Sequence, residues 1–171
     1  MRGLISLNAV EISIIVEECR ERLVGGWVRN VYQPSGSSII LKTYTGEGVL
    51  EFWLVAGECV FYTDREVVKP SKPTPLASML RRSLNGLRIS DIRQVGSERI
   101  VEILLSGGVK SLVAEIMPPG NIILLEDGKI AHVSRQVSSR SRLLRPGQTY
   151  NPPPPRYSYM RGEVSDTLLM R

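Results

Sequence analysis

Two stretches of the sequence repeat one pattern of glycine and alternating apolar residues, and this repeat is the strongest constraint on the fold. At a shift of 61 residues (86 − 25), residues 25–33 align with residues 86–94, as GGWVRNVYQ and GLRISDIRQ. The same shift places residues 39–40 on residues 100–101. In each half a helix and a glycine precede several short predicted strands. Because repeated units of this kind bury their apolar faces against each other, we predict two sheets related by an approximate two-fold axis.

The first predicted helix begins at Asn8. Asn8 and Glu11 have the spacing of a capping box, in which each side chain accepts a hydrogen bond from the other residue's backbone. Apolar residues then recur at helical spacing as far as Leu23, and the helix ends at Gly25. A second helix is predicted over residues 76–84, after a proline-rich connector.

The remaining apolar runs predict strands of five to seven residues. They are Trp27–Gln33, Ser38–Tyr44, Val49–Val55, Glu58–Thr63, Arg88–Gln94, Arg99–Leu105, Lys110–Ile116, Asn121–Glu126 and Lys129–Val133. The gaps between them are too short for parallel crossovers, so neighbouring strands must be antiparallel. Gly107-Gly108 and Asp127-Gly128 have the composition of two-residue hairpin turns. The predicted fold class is α+β: two antiparallel sheets packed as a pseudo-two-fold β-sandwich with two main helices.

Basic charge is concentrated towards the C-terminal end. Residues 1–63 carry five Lys and Arg against seven Asp and Glu, residues 64–134 ten against eight, and residues 135–171 seven against two. The net charge of the last segment, +5, therefore equals the net charge of the whole chain. Arginine, which pairs bidentately with phosphate and stacks on bases, dominates these basic residues. A nucleic-acid partner is one interpretation, and an arginine preference set by base composition or heat adaptation is the other.

Basic side chains on the second helix, on the strand after it and in the C-terminal segment are candidates for contact with a nucleic-acid backbone. They are Arg81, Arg82, Arg88, Arg135, Arg140, Arg142 and Arg145. Serines lie between the arginines of residues 135–145. Ser and Arg together favour contacts with phosphates, which do not depend on the sequence of the nucleic acid. A solvated linker is the alternative for residues 135–145. Four prolines then form a spacer, so we predict a domain over residues 1–151 and a proline-rich linker or tail over residues 152–171.

Signatures of catalysis and of metal binding are scarce. The single histidine, His132, has no Cys or His near it, which argues against a metal site and a histidine-based triad. No glycine-rich phosphate-binding motif is present, so we predict no cofactor, no small-molecule substrate and no enzymatic activity. Cys19 and Cys59 are too few for a disulfide scaffold. No apolar run approaches the length of about 18 residues that a membrane span needs, and we expect a cytoplasmic protein.

Glu98 and Arg99 are the charged pair that the repeat singles out. They occupy the turn at which the first half carries Ser37 and Ser38. In a turn, a carboxylate and a guanidinium can present an acceptor and a donor to one ligand. A solvated ion pair of little energetic weight is the alternative.

Several short motifs follow one another in a recognisable order. They are the opening Ile5 to Gln33, Gly86-Leu87-Arg88-Ile89, Ile92-Arg93-Gln94, Gly96-Ser97-Glu98-Arg99-Ile100-Val101-Glu102, Gly120-Asn121-Ile122-Ile123-Leu124 and Gly147-Gln148-Thr149-Tyr150 with its prolines. Together they resemble the NFACT N-terminal domain, also called fibronectin-binding protein A-like, of the family that includes bacterial RqcH and eukaryotic NEMF. The resemblance covers about residues 3–155, and an archaeal member is expected.

The resemblance implies a role in ribosome quality control. Family members bind large ribosomal subunits that still carry an obstructed peptidyl-tRNA, and they recruit aminoacyl-tRNA to extend the chain without mRNA, with alanine in bacteria. The ribosome would make the peptide bond, so the domain itself is not an enzyme. The resemblance also implies a fold like the N-terminal domain of formamidopyrimidine-DNA glycosylases. Their catalytic Pro-Glu terminus is Met1-Arg2 here, so glycosylase activity is not implied.

Two family positions can be carried over to this sequence. The family's Asp-Arg pair, needed for tailing, falls on Glu98-Arg99, and an early family Asp falls on Glu11. At both positions the side chain that carries the carboxylate is therefore one methylene longer than the aspartate of the family. The resemblance implies tRNA binding by these three residues, with the large ribosomal subunit and tRNA as partners. Longer members continue into further domains, so we expect an isolated N-terminal domain.

Two other functions remain open from the sequence. One is a protein-interaction module that uses an exposed sheet edge, in line with the family's older, fibronectin-binding name. The other is DNA binding without glycosylase activity, by analogy of fold.

Overall fold

The computed structural model describes residues 7–154, which form two helices and two main sheets. The helices are α1 (Ala9–Leu23) and α2 (Pro75–Leu84). The strands are β1 (Trp27–Ser35), β2 (Ser38–Thr45), β3 (Gly48–Val55), β4 (Cys59–Thr63), β5 (Ile89–Gln94), β6 (Ile100–Leu105), β7 (Lys110–Glu115), β8 (Asn121–Glu126), β9 (Lys129–Val133), β10 (Val137–Ser138) and β11 (Leu143–Leu144). A tail over residues 152–171 was predicted, and most of it lies outside the described residues.

Both main sheets are antiparallel meanders. The first sheet has the order β1-β2-β3-β4, and the second has the order β5-β6-β7-β8-β9. The predicted α+β class, with two antiparallel sheets and two helices, is confirmed. The short hairpin β10-β11 was not predicted.

One of the two predicted hairpin turns is wrong. Asp127 and Gly128 have φ angles of 49° and 76°, and they connect the paired residues Glu126 and Lys129 as a two-residue turn. By contrast, Leu105 pairs with Lys110, so four residues connect β6 to β7. Three of these residues, Ser106, Gly107 and Gly108, have positive φ angles of 48°, 75° and 93°. A tight hairpin turn takes positive φ at two central residues, so the run exceeds what a two-residue turn can hold.

The two halves meet along an antiparallel pairing of equivalent residues. Trp27 lies opposite Arg88, and these residues are equivalent at the shift of 61 (88 − 27). Four backbone hydrogen bonds of 2.8–2.9 Å flank this pair and exchange with one another under the same shift. They run from Gly25 N to Ile89 O, from Gly86 N to Val28 O, from Val28 N to Leu87 O and from Ile89 N to Gly26 O. An approximate two-fold axis therefore passes between Trp27 and Arg88, as the repeat predicts.

The inner faces of both sheets and one side of each helix form the main core. Helix α1 contributes the buried stripe Ile12, Val16, Cys19 and Leu23. Burial raises the pKa of the Cys19 thiol to about 12, and the charge of Glu18 adds to this effect. Cys19 is therefore a small core residue that stays protonated, as the sequence predicts.

Part of the outer face of each sheet is covered by the segment that follows its last strand. On the second sheet, residues 137–150 bring Leu144 and Tyr150 against Ile100 and Val113. Leu144 is fully buried, so a solvated linker over residues 135–145 is wrong. On the first sheet, residues 64–74 follow β4 and lie across the outer face through the ion pair between Lys69 and buried Glu51. Among the described helices, neither has the length and apolarity to cross a membrane.

Candidate nucleic-acid interface

The turn between β5 and β6 presents Glu98 and Arg99. It is closed by hydrogen bonds from Val95 N to Ile100 O at 2.9 Å and from Glu98 N to Val95 O at 3.2 Å. Gly96 adopts a φ of 58°, a conformation that favours glycine. Both charged side chains are half-buried, so the turn holds them against the body of the domain.

Gln94 joins this turn to the start of α1. Its Nε2 donates to Ala9 O at 3.0 Å and to Glu98 O at 2.8 Å. Arg99 Nη1 donates to Leu7 O at 3.4 Å. Through these bonds, the structure brings the turn of the second sheet to the end of the helix that carries Glu11. Sequence analysis did not single out Gln94 as a positioning residue, although it belongs to the repeated Gln at the end of each aligned segment.

Glu11 completes the capping box of α1. Its Oε2 accepts a hydrogen bond from Asn8 N at 2.7 Å, while Asn8 Oδ1 accepts from Val10 N and Glu11 N at 2.9 Å each. The negative charge also lies favourably at the positive end of the helix dipole. The side chain is exposed. The predicted cap is confirmed, and the binding role of Glu11 stays a prediction.

Arg135 lies at the same end of the second sheet as Arg99. Ile116 N donates to Arg99 O at 2.8 Å, which places Arg99 beside the end of β7. Arg135 is held to the start of β8 by its own N–H, which donates to Asn121 Oδ1 at 3.0 Å. The two arginines are thus three strand spacings apart, roughly 14 Å along the sheet. We call this edge the Arg99 end of the second sheet.

Arg82 and Arg88 lie near the opposite end of this sheet. Arg88 immediately precedes β5 and its Nε donates to Gly25 O at 3.2 Å. Lys110, the first residue of β7, donates to Ser83 O at 3.2 Å and so holds the end of α2 there. Six-residue strands separate the two ends by about 20 Å. The basic residues predicted to contact nucleic acid therefore divide into groups and do not form one continuous strip.

Arg81 and Arg142 are engaged inside the protein. Arg81 Nε donates to Val31 O at 2.7 Å, and its guanidinium lies 5.1 Å from the Tyr32 ring centre. Arg142 forms an ion pair with Glu115, and the two side chains are only 11% and 4% exposed. These contacts pack α2 on β1 and the C-terminal segment on the second sheet. Both arginines were predicted to contact nucleic acid; their contacts give them structural roles, and the binding role stays a prediction.

Glu115 is the centre of a buried cluster that sequence analysis missed. Both of its carboxylate oxygens accept hydrogen bonds from Arg142, and Tyr150 Oη donates to Oε1 at 3.0 Å. Arg142 Nε donates to Asn151 O at 2.9 Å. Burial, and then the charge of Glu115, raise the pKa of Tyr150 well above its usual range. The available signal was a glutamate that interrupts the apolar run of β7.

Arg140 and Arg145 remain on the surface. Arg140 lies in the turn of the β10-β11 hairpin and Arg145 follows β11, and both are exposed. Within residues 7–154, neither has an ion-pair partner. They are the members of the C-terminal arginine group whose charges are available to a phosphate backbone. Over the same residues, no group of three His, Cys, Asp or Glu side chains is placed to hold a metal ion.

Comparison with known proteins decides the family. Residues 9–167 match the family described as NFACT N-terminal and middle domains. The chain belongs to this family. The match spans both sheets and the turn that carries Glu98 and Arg99.

Relatives of this NFACT chain come from bacteria, archaea and eukaryotes. It is 31% identical over 172 residues to the Rqc2 homolog RqcH of Streptococcus pneumoniae, covering 91% of this chain and 31% of the relative. It is 26% identical over 125 residues to ribosome quality control complex subunit 2 of Saccharomyces cerevisiae, covering 72% and 12%. The chain therefore spans a third or less of these relatives.

A solved structure also matches the NFACT chain. The N-terminal domain of fibronectin-binding protein PavA from Streptococcus pneumoniae superimposes with a TM-score of 0.79 at 30% identity, covering 96% of this chain and 71% of that one. The similarity to formamidopyrimidine-DNA glycosylases, which the sequence led us to expect, stays a prediction.

One of the NFACT motifs holds the domain together. Gly120 lies so close to the first half that a Cβ on it would be 2.0 Å from Gly57 N. Asn121 is buried, and its Oδ1 accepts from Ser134 Oγ at 2.8 Å, while its Nδ2 donates to Arg135 O at 2.7 Å. This motif therefore serves packing, whereas the side chains of Glu98 and Arg99 are half-buried and lie outside the core.

Proposed function

We propose that this domain binds tRNA as part of a ribosome-associated quality-control factor. The observation that carries the proposal is the junction of the β5-β6 turn with the start of α1, which gathers Glu98, Arg99 and Glu11. These are the three positions that the NFACT resemblance assigns to tRNA. The relatives named for ribosome quality control support the cellular context.

In this proposal Arg99 donates to the tRNA, and Glu98 accepts from a base or ribose hydroxyl. Arg135 lies at the same end of the second sheet. There it contacts backbone phosphates of the tRNA helix, which passes along the sheet when tRNA is bound at the turn. Arg140 and Arg145 add charge that positions RNA without reading its sequence. Gln94 acts as a positioning residue, because it fixes both the turn and the helix.

The whole factor would act on a large ribosomal subunit that carries an obstructed peptidyl-tRNA. It would recruit aminoacyl-tRNA, with alanine as the expected amino acid, and the ribosome would form the peptide bond. The domain would then work in the cytoplasm as a binding module and not as an enzyme. Because the chain spans a third or less of its curated relatives, anchoring on the ribosome is assigned to the rest of the factor.

The experiment is tRNA binding by the domain over a series of salt concentrations. The logarithm of affinity falls linearly with that of salt concentration, with a slope set by the number of phosphates neutralised. Arg99→Ala is expected to weaken binding about tenfold or more, since charge-assisted hydrogen bonds contribute about 1.5–3 kcal/mol. Arg140→Ala is expected to reduce the salt slope by about one unit for all RNAs alike.

Arg93→Ala is the matched control. Arg93 lies on β5, is more than half exposed and pairs with Glu102, so its loss removes one surface arginine near the turn without touching the proposed site. If Arg93→Ala and Arg99→Ala lose tRNA affinity equally, the domain binds RNA through its general basic surface and the proposed site is contradicted. Melting temperatures of all variants separate binding from folding.

A protein-interaction module is the second candidate, because the outer side of the first sheet exposes large apolar residues. Trp27 is 49% exposed, Tyr44 53%, Val49 44% and Phe61 40%. Exposed apolar clusters are typical of interaction sites. Binding to immobilised fibronectin that is lost in Phe61→Ser but kept in Arg99→Ala would favour this function over tRNA binding.

A further inference from the structure

Three large apolar side chains form an exposed row on the outer face of the first sheet. Trp27 on β1 is paired with Tyr44 on β2, and Tyr44 is paired with Val49 on β3. Residues paired across strands point to the same face of a sheet, and the next residues along the chain, Val28 and Leu50, point into the main core. The exposed fractions of the three side chains are 49%, 53% and 44%. The row is therefore a continuous strip that the described part of the chain leaves open.

The row continues across the two-fold axis to Arg88. Trp27 and Arg88 form an antiparallel pair between the two halves. The backbone hydrogen bonds of this ladder flank the pair, so it is of the type with Cα atoms about 4.5 Å apart and side chains close together. Arg88 Nε donates to Gly25 O at 3.2 Å, which fixes the side chain at this position. An arginine is thus the fourth member of the row.

The two rings of the row differ from other aromatic rings of the domain in what lies over their faces. Phe61 stacks on Trp53 with 5.5 Å between ring centres, and three tyrosine rings have a Lys or Arg group over one face. Within residues 7–154, Trp27 and Tyr44 have neither kind of contact. A flat group of a ligand can therefore stack on them.

The charge around the row favours an anionic partner. Arg88 and Arg29, which lies in the bulge of β1, are exposed and form no ion pair within residues 7–154. Glu47, in the turn between β2 and β3, is paired with Arg22 at 3.0 Å. A protein that covered the row with apolar side chains would remove the two unpaired guanidinium groups from water, which is costly. A single-stranded nucleic acid supplies a flat base for each ring and phosphates for the arginines.

We propose that Trp27, Tyr44 and Arg88 form a platform on which unpaired bases of RNA stack, with Val49 as its apolar border. The rings bind the bases, and Arg88 and Arg29 neutralise the neighbouring phosphates. The platform contains no residue of the β5-β6 turn and lies at the other end of β5, so it is a second RNA-binding surface that does not depend on tRNA binding at the turn. The bases can come from a loop of a bound tRNA or from another RNA strand.

The test is the fluorescence of Trp27 during a titration with a short oligouridylate at constant ionic strength. In the Trp53→Phe variant Trp27 is the single tryptophan. The indole N–H of Trp53 is buried without a hydrogen-bond partner among the described residues, so phenylalanine loses no bond there. A base that stacks on the indole is expected to quench its emission, and the quenching should saturate.

Variants of the row measure the contribution of each ring. Trp27→Ala and Tyr44→Ala should each weaken binding of labelled oligouridylate about tenfold, because a base loses its stacking partner. Trp27→Phe keeps a ring and should retain most of the affinity. Arg99→Ala, which tests the β5-β6 turn, should leave oligouridylate binding unchanged, so that failure of tRNA recognition and failure of the platform are distinguishable.

Two controls separate base stacking from charge and from general exposure of aromatic rings. An abasic oligoribonucleotide of the same length carries the phosphates without the bases. Phe61→Ala removes an exposed ring of the same sheet that lies outside the row. Melting temperatures of all variants show whether they are folded.

The outcomes are distinct. Loss of both tRNA and oligouridylate affinity in Trp27→Ala supports the platform with a tRNA loop as the source of the bases, and loss of oligouridylate affinity alone supports it with another RNA strand. The proposal is overturned if quenching does not saturate, if the abasic strand binds equally well, or if Phe61→Ala weakens binding as much as Trp27→Ala. It is also overturned if Trp27→Ala loses affinity for immobilised fibronectin and keeps its affinity for oligouridylate.

Discussion

The two halves of the molecule each contain a buried glutamate, and the two glutamates differ in their hydrogen-bond partners. Each sheet carries one on the outer face of its third strand, Glu51 on β3 and Glu115 on β7, and each is 3% exposed. In both cases the segment after the sheet's last strand supplies the cation, Lys69 or Arg142. Arg142 and Tyr150 occupy both oxygens of Glu115, whereas Lys69 bonds one oxygen of Glu51 and the other is buried without a hydrogen-bond partner among the described residues. One architecture thus yields a fully bonded glutamate in the second half and a partly bonded one in the first.

The hairpin turns of the two halves differ in the same way. In the first half, Ser35 Oγ and Ser38 Oγ lie 2.6 Å apart, so the hydroxyls satisfy one another. In the second half, the equivalent turn carries Glu98 and Arg99 and is joined to α1 through Gln94. In our proposal, the positions that bind tRNA are therefore the ones at which the two halves cease to match.

The largest expected effect tests how tightly the halves are joined. Gly120→Ala should destabilise the domain by roughly 3 kcal/mol or more, because its Cβ would overlap backbone atoms of Ala56 and Gly57 at 2.0–2.6 Å. Chemical denaturation measures the loss. Gly128→Ala is the matched control: its φ of 76° resembles the 73° of Gly120, but nothing lies within 4 Å of its Cβ. That variant should lose only about 1 kcal/mol, and equal losses would contradict the close contact.

The next effect compares the two buried ion pairs. Arg142→Met should cost about 3–5 kcal/mol of unfolding free energy, since it leaves Glu115 buried without its bidentate partner. Lys69→Met should cost less, about 2 kcal/mol, because Lys69 bonds only one oxygen of Glu51, whereas Arg142 bonds both oxygens of Glu115. Urea unfolding of both variants measures the difference. Glu47→Gln, which breaks an exposed pair with Arg22, should change the free energy by less than about 1 kcal/mol, and a loss from Lys69→Met as large as that from Arg142→Met would refute the distinction.

The smallest expected difference concerns the two-fold axis itself. The amides of Gly25, Val28, Gly86 and Ile89 donate the four bonds that exchange under the repeat. Native-state hydrogen exchange should give them opening free energies that agree within about 1 kcal/mol, because symmetric bonds open in one cooperative unit. Fast exchange of one pair with protection of the other would show that the halves are joined unequally.

Much of this fold could be predicted because its signals are local. The capping box of Asn8 and Glu11, the glycine that ends α1 and the short gaps between strands each determine nearby backbone. The repeat then related the halves. The four-residue connection after β6 was missed because two adjacent glycines do not reveal that Ser106 also has a positive φ.

The candidate site could be predicted only in part. The mismatch between Ser37-Ser38 and Glu98-Arg99 singled out the turn, but no local pattern shows that Gln94 links it to Ala9, 85 residues away. The pairing of Arg142 with Glu115 was missed for the same reason, because Glu115 lies 27 residues earlier in the sequence. Arg142 was therefore predicted to contact nucleic acid. Arginine composition indicates a charge but not whether that charge is buried.

The most direct test of tRNA recognition by the β5-β6 turn gives the second half the turn residues of the first. In the double variant E98S/R99S the second half carries the serines of the first, and tRNA binding is measured against the unaltered domain at several salt concentrations. We predict a loss of affinity of about tenfold or more that persists at high salt, in a domain that stays folded and loses only a few degrees of melting temperature with the hydrogen bond from Arg99 to Leu7. Unchanged tRNA affinity in a folded E98S/R99S domain would contradict the central claim that the difference between the two turns encodes recognition.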